Sequence, residues 1–136
     1  MNLYPLLVGL HVITAILGLG PLLALAVLTT GPAAPPWPPA RLGSLLRLAG
    51  WSLLVMLASG AGLIALTHGV LGETGWVRVS FALFLVLGFL HGQARRRFRQ
   101  WTQAKEAPVA PALAPILWGM CALVAVITYL MEAKPW

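Results

Sequence analysis

Hydrophobic positions in this chain run together in four blocks rather than alternating with polar ones. The first block reads Leu6-Leu-Val-Gly-Leu-His-Val-Ile-Thr-Ala-Ile-Leu-Gly-Leu-Gly-Pro-Leu-Leu-Ala-Leu-Ala-Val-Leu28 and holds no charged residue. Blocks at about 5–28, 45–66, 76–93 and 111–131 each come near the roughly 20 residues needed to cross about 30 Å of hydrocarbon. Together they take up most of the 136 residues and leave no room for a soluble domain. The pattern therefore predicts an all-α, integral membrane four-helix bundle, a single domain over 1–136 in contact with the lipid bilayer.

The segments between the blocks carry the breaks. Gly31-Pro-Ala-Ala-Pro-Pro-Trp-Pro-Pro39 is incompatible with a helix and is expected to be an extended, polyproline-like connector. Thr67-His-Gly-Val-Leu-Gly-Glu-Thr-Gly-Trp76 reads as a glycine-rich turn containing His68 and Glu73, with Trp76 as an interfacial anchor. Pro21 lies inside the first block, removes a backbone hydrogen bond and predicts a kink after Gly18-Leu-Gly20. Met1-Asn-Leu-Tyr-Pro5 lacks the positive region of a secretory signal, so the first block is expected to stay as a span, with Ala33 marking the nearest small-residue cleavage position.

Charge changes the picture in one respect, by orienting the bundle. A net charge of +6 on a soluble protein would suggest nucleic acid, but here only 9% of residues are charged and the basic ones stand at the ends of apolar blocks, so a nucleic-acid partner is excluded. With the chain starting outside, Arg41, Arg47, Arg95, Arg96, Arg97, Arg99 and Lys105 all lie inside and only Arg78 and Lys134 outside. Both termini are therefore expected to be extracytoplasmic. The run Arg95-Arg-Arg-Phe-Arg-Gln-Trp-Thr-Gln-Ala-Lys-Glu106 reads as a stop signal touching anionic headgroups.

Few side chains remain that carry chemistry. A single cysteine, Cys121, excludes an intramolecular disulfide and any CxxC site. There is no phosphate-binding glycine loop, no HExxH and no paired carboxylates at helical spacing, which removes hydrolysis and phosphoryl transfer. His11 is the ionisable residue inside the first block, and a polar group left unpaired in hydrocarbon costs several kcal/mol. On a 3.6-residue repeat it shares a small, polar face with Thr14, Ala15 and Gly18, so that face is expected to point into the bundle. In the second block Ser52, Ser59 and Gly62 lie along one face, and in the third Ser80, Phe84, Leu87, Gly88 and His91 do.

For His11 the alternatives are a hydrogen bond to a backbone carbonyl or to Glu132 across the bundle, or a metal. His91, beside the arginine run, is either solvated and hydrogen-bonded or a second ligand, and His68 reads as a surface residue of the turn. Met56, Met120, Met131 and Cys121 are soft-sulfur candidates for Cu(I) or plain packing residues. The helical rise puts His11 and His91 about 12 Å apart in depth. Two imidazoles on one iron have their nitrogens only about 4 Å apart. A shared metal therefore requires shifted span ends or a neighbouring protomer in a homo-oligomer or larger membrane complex; two sites, or one site and a structural histidine, are the other possibilities.

Three stretches, Leu10-His-Val-Ile-Thr-Ala-Ile-Leu-Gly-Leu-Gly20, Trp76-Val-Arg-Val-Ser-Phe-Ala-Leu-Phe-Leu-Val-Leu-Gly-Phe-Leu-His-Gly92 and Tyr129-Leu-Met-Glu-Ala-Lys-Pro135, resemble a group of small four-helix membrane proteins. That group includes the HemJ-type protoporphyrinogen IX oxidases, the copper-resistance D membrane domain and uncharacterised relatives. The resemblance implies a b-type haem with His11 and His91 as the first-span and third-span histidines, and copper as the alternative cofactor. It also implies the bacterial plasma membrane as location and matches Lys134 to a terminal Lys-Pro. The chain departs from the HemJ pattern at Arg78-Val79, where those proteins carry a lysine, and in its proline-rich connector. The resulting expectation is a membrane haem-binding or redox protein, with Arg78 and Lys134 as partners for porphyrin carboxylates. Copper or small-solute transport past His11, Thr14, Met56 and Cys121 is the alternative from the transport class, and an accessory subunit without its own chemistry is the third.

The sidedness is directly testable. In a Cys121→Ala background, cysteine at Glu73 is expected to react with a membrane-impermeant thiol reagent added to intact cells, and cysteine at Lys105 only after permeabilisation.

Overall fold

The computed structural model describes residues 3–30, 38–104 and 110–134. Five helices follow one another: α1 (Leu3–Leu28), α2 (Pro39–Leu66), the single turn α3 (Val70–Glu73), α4 (Gly75–Ala104) and α5 (Ala110–Ala133). The four long ones are each long and apolar enough to cross a membrane, so the protein is an all-α, four-span helical membrane protein. Most of the proline-rich connector, residues 31–37, and Lys105 of the inner basic set lie outside the described residues.

The apolar blocks locate the helices but understate their lengths. The second block was expected from 45 and the helix begins at Pro39; the third was expected to end at 93 and the helix continues to Ala104. Hydropathy marks where hydrocarbon ends, whereas a helix ends where its backbone bonding fails. Pro39 suits a first-turn position, which has no N–H to contribute anyway. The arginines, glutamines and alanine beyond Gln93 are good helix formers, so the backbone carries on past the apolar block. Pro21 and Pro115 are both accommodated inside helices, α1 and α5 respectively.

α1 lies antiparallel along α2, α4 along α5, and α1 also meets α5, whereas α2 and α4 approach each other at few points. Small residues permit the closest approaches. A β-carbon on Gly18 would stand 3.1 Å from the Ser52 β-carbon, and one on Gly62 would stand 3.2 Å from Leu7. Between α2 and α4 the Phe98 ring lies on Gly43, and the His91 ring on Gly50.

Burial is uneven along the bundle. The apolar core consists of Leu22, Leu25 and Ala26 of α1, Leu42, Leu46, Ala49 and Leu53 of α2, Leu87 and Ala94 of α4, and Leu113, Leu117 and Met120 of α5. Most of these belong to the half nearer the Arg95 run, called the basic end below, with Leu53 and Leu87 at mid-depth. In the opposite half, where the chain termini lie, the buried side chains include Thr14, Ser59 and Ser80 along with Ile127.

Each helix end disposes of its free carbonyls. Thr29 and Thr30 hydroxyls donate to Leu25 and Ala26 carbonyls at the end of α1, and the Trp118 indole of α5 donates to Thr30 Oγ1 at 2.8 Å. At the end of α2 the amide of Gly69 bonds Ile64 O and that of His68 bonds Ala65 O, both at 3.0 Å. This pair of bonds is the Schellman arrangement, and it holds exposed His68 at φ 54 and Gly69 at φ 85. His68 thus occupies the left-handed position that glycine fills without steric cost. His68→Gly is expected to stabilise the protein by about 0.5–1 kcal/mol in thermal or denaturant unfolding.

Candidate functional site

α1 turns its small-residue face to α2, as the heptad-like spacing of His11, Thr14 and Gly18 predicts. His11 is half-buried there, and its Nδ1 lies 2.8 Å from Ser59 Oγ of α2. The Ser59 hydroxyl donates to the Met56 carbonyl at 3.0 Å. With the serine proton used in this way, the donor in the bond to His11 is Nδ1–H and the serine oxygen accepts. In that arrangement Nδ1 carries the hydrogen and Nε2 carries the lone pair. One side of the ring rests on Gly60, whose missing β-carbon would stand 3.4 Å from His11 Cε1.

Ser59 therefore takes the place of the partner sought at Glu132, which is exposed in the last turn of α5. The sequence carried a signal for it, since Ser59 lies on the same face of its block as Ser52 and Gly62. Thr14, one turn below His11, satisfies its own hydroxyl on the Leu10 and His11 carbonyls at 2.8 and 3.0 Å and is buried without reaching another helix by hydrogen bond.

His91 has a different environment. It is 7% exposed, and neither Nδ1 nor Nε2 has a hydrogen-bond partner. A β-carbon placed on Gly50 would come within 2.7 Å of His91 Nε2. The ring is thus seated against bare α2 backbone, which leaves no room on that side for a group the size of a porphyrin. The expectation of a solvated interfacial histidine fails here, because Gly50 lets α4 bring the ring inside the bundle.

Both histidines touch α2, at Gly60 and Gly50, which the helical rise separates by about 15 Å. Nitrogens on one iron stand about 4 Å apart, so within a single chain His11 and His91 are at separate stations. Ser80 Oγ is a third unpartnered polar atom, in a residue 4% exposed. It lies about 16 Å from His91 along α4 toward the chain termini, which brings it level with His11. Its lack of a partner was not readable from sequence, where it was one polar residue on the His91 face.

The two cations expected at the outer rim are both exposed at the end of the bundle nearer His11. Arg78 Nε donates to the Gly72 carbonyl at 3.2 Å, tying α4 to α3. Lys134 follows α5 at φ 41. Cys121 is half-buried on α5 and Met120 is fully buried in the apolar core. Among the described residues no three His, Cys, Asp or Glu side chains gather as a metal-binding group.

Comparison with known protein families, with curated proteins and with solved structures finds no match for this chain.

The close seat of His91 on Gly50 has a measurable consequence. Gly50→Ala is expected to destabilise the protein by about 1–3 kcal/mol through overpacking against the ring. In the Gly50→Ala/His91→Ala double variant that loss should be largely relieved, a coupling that a double-mutant cycle of unfolding free energies reads directly.

Proposed function

We propose that the protein is a membrane haem-binding or redox protein in which His11 supplies a ligand through Nε2. The observation that carries this reading is the bond between His11 Nδ1 and Ser59 Oγ. A metal-ligating histidine ordinarily donates its other ring N–H to a neighbouring group, which fixes the tautomer and orients the ring. Ser59, itself anchored on the Met56 carbonyl, does both for His11. The unpartnered Ser80 oxygen at the same level, in the half of the bundle with little apolar core, is a further sign that this region suits a polar guest.

The first-span histidine of the resemblance supports a b-type haem as that guest. Bound there, the haem would supply one-electron chemistry. Arg78 and Lys134, exposed at the same end, suit the porphyrin carboxylates by charge. His91 stands apart from this centre as a second, independent site. Copper is the less favoured guest, since the His11 neighbourhood lacks the thiolate and imidazole set that such a site needs among the described residues.

A second reading rests on the same bond. Without any ligand, His11–Ser59 is a clamp between α1 and α2 in an accessory subunit, of a kind worth about 0.6–2 kcal/mol in membrane proteins.

The test separates the two. Purified protein is expected to show a Soret band, either as isolated or after haem addition; His11→Ala should abolish it. Ser59→Ala, which keeps the ligand but frees its tautomer, should weaken haem affinity about 10- to 100-fold. Protein that stays colourless after haem addition overturns the haem reading and leaves the clamp.

A further inference from the structure

The basic end of the bundle holds three guanidinium groups around an apolar floor, in a cleft of about 320 Å³ between the first turns of α2 and the last turns of α4. Arg47 comes from α2, Arg95 and Arg99 from successive turns of α4, and Leu46, Gly43 and Phe98 line the floor. A second cleft, of about 510 Å³, shares Arg95 and Arg99 but is walled by α4 alone. The first has a wall on each side and an apolar base.

Among the described residues none of these three cations forms an ion pair. Arg47 bonds the uncharged Ser44 hydroxyl at 3.3 Å, and Arg95 and Arg99 make no ion pair among the described residues. Glu73 and Glu132, the acidic residues described, belong to the opposite end. Like charges four residues apart on a helix repel, so Arg95 and Arg99 together favour an anion between them. α2 also begins here with no side chain capping its first amides, which adds the positive end of a helix dipole.

Depth selects the kind of anion. α4 is 30 residues long, about 45 Å by helical rise, and crosses only about 30 Å of hydrocarbon. The arginines therefore stand at the edge of the hydrocarbon, and Phe98 and Leu46 lie beside them at the same level, Phe98 between Arg95 and Arg99 along α4 and Leu46 next to Arg47 on α2. A phosphodiester that carries an acyl chain engages both the guanidinium groups and the apolar floor at this boundary, whereas a free phosphate engages only the guanidinium groups.

We propose that the cleft formed by Arg47, Arg95, Arg99 and Phe98 is a binding site for the headgroup of one anionic phospholipid, which bridges α2 and α4. The bridge falls where it matters mechanically, because these two helices otherwise meet closely at few points, among them Gly43 with Phe98 and Gly50 with His91. The proposal is independent of any ligand at His11.

The experiment uses full-length protein in nanodiscs of phosphatidylcholine with increasing phosphatidylglycerol, reading thermal unfolding and lipid retention by native mass spectrometry. Phosphatidylglycerol is expected to raise the unfolding midpoint saturably and to be retained as one tightly held lipid. Arg95→Gln/Arg99→Gln should weaken that retention at least about tenfold, while Arg96→Gln/Arg97→Gln, an equal charge change on the same helix, should leave it within about twofold. Equal losses in both pairs would mean a diffuse headgroup field and overturn the site. So would phosphatidylglycerol acting no better than phosphatidylcholine, or inorganic phosphate in detergent reproducing the stabilisation. All four substitutions are at exposed positions, and circular dichroism of each variant confirms that the fold is intact.

Discussion

The seam between α1 and α2 is the constraint on which the rest of the molecule depends. In lipid there is no hydrophobic drive to bring two apolar helices together, so association rests on close packing and on the occasional polar bond. Here both act along one antiparallel register: Leu7 meets Gly62, His11 meets Ser59 and Gly60, and Gly18 meets Ser52. A shift of one residue would separate His11 from Ser59 and bring side chains to places that glycines now leave clear. The polar bond selects the register and the glycines make it sterically possible. Because α1 also meets α5, the position of that pair sets where the second pair, α4 with α5, closes the bundle.

This arrangement divides the bundle by depth. Leucines and small residues of all four long helices fill most of the half near the basic end, with a void of only about 10 Å³ between Leu25, Leu42, Phe98 and Leu117, alongside buried Thr29, Ser52 and His91. The other half keeps Thr14, Ser59 and Ser80 buried beside half-buried His11. Most of the apolar packing therefore resides at one end, and the other holds little apolar core around its polar side chains. A site that must accept a guest needs some freedom to adjust, and it is better tolerated where it does not interrupt the main core.

What could be read from the sequence follows the same division. The four spans were legible because hydrocarbon thickness imposes length and composition on any segment that crosses it. The inward face of α1 was legible because His11, Thr14 and Gly18 recur at the helical period. Helix ends were less so, since the backbone of α4 carries on through the arginines where the apolar signal stops. The partner of His11 was found on Ser59 rather than Glu132 because rotation and register between neighbouring helices are joint properties of two segments, and no single block carries them. The same applies to His91: its depth beside the arginines suggested solvent, but the absence of a side chain at Gly50 determines that the ring is buried.

The two buried histidines are chemically unequal despite their shared residue type. A neutral imidazole has one donor and one acceptor. With Nδ1–H donated to Ser59, His11 has only the Nε2 lone pair unspent, and a ligand that accepts it leaves nothing unpaired. In His91 both atoms are unspent, so a ligand on one nitrogen still leaves a buried N–H without an acceptor, at about 1–3 kcal/mol. His91 also faces Gly50 at a distance that closes the α2 side of its ring. Preorganisation therefore favours His11 as the centre of any ligand chemistry, and the distance of about 15 Å along α2 means that His91 contributes to it from another station or not at all.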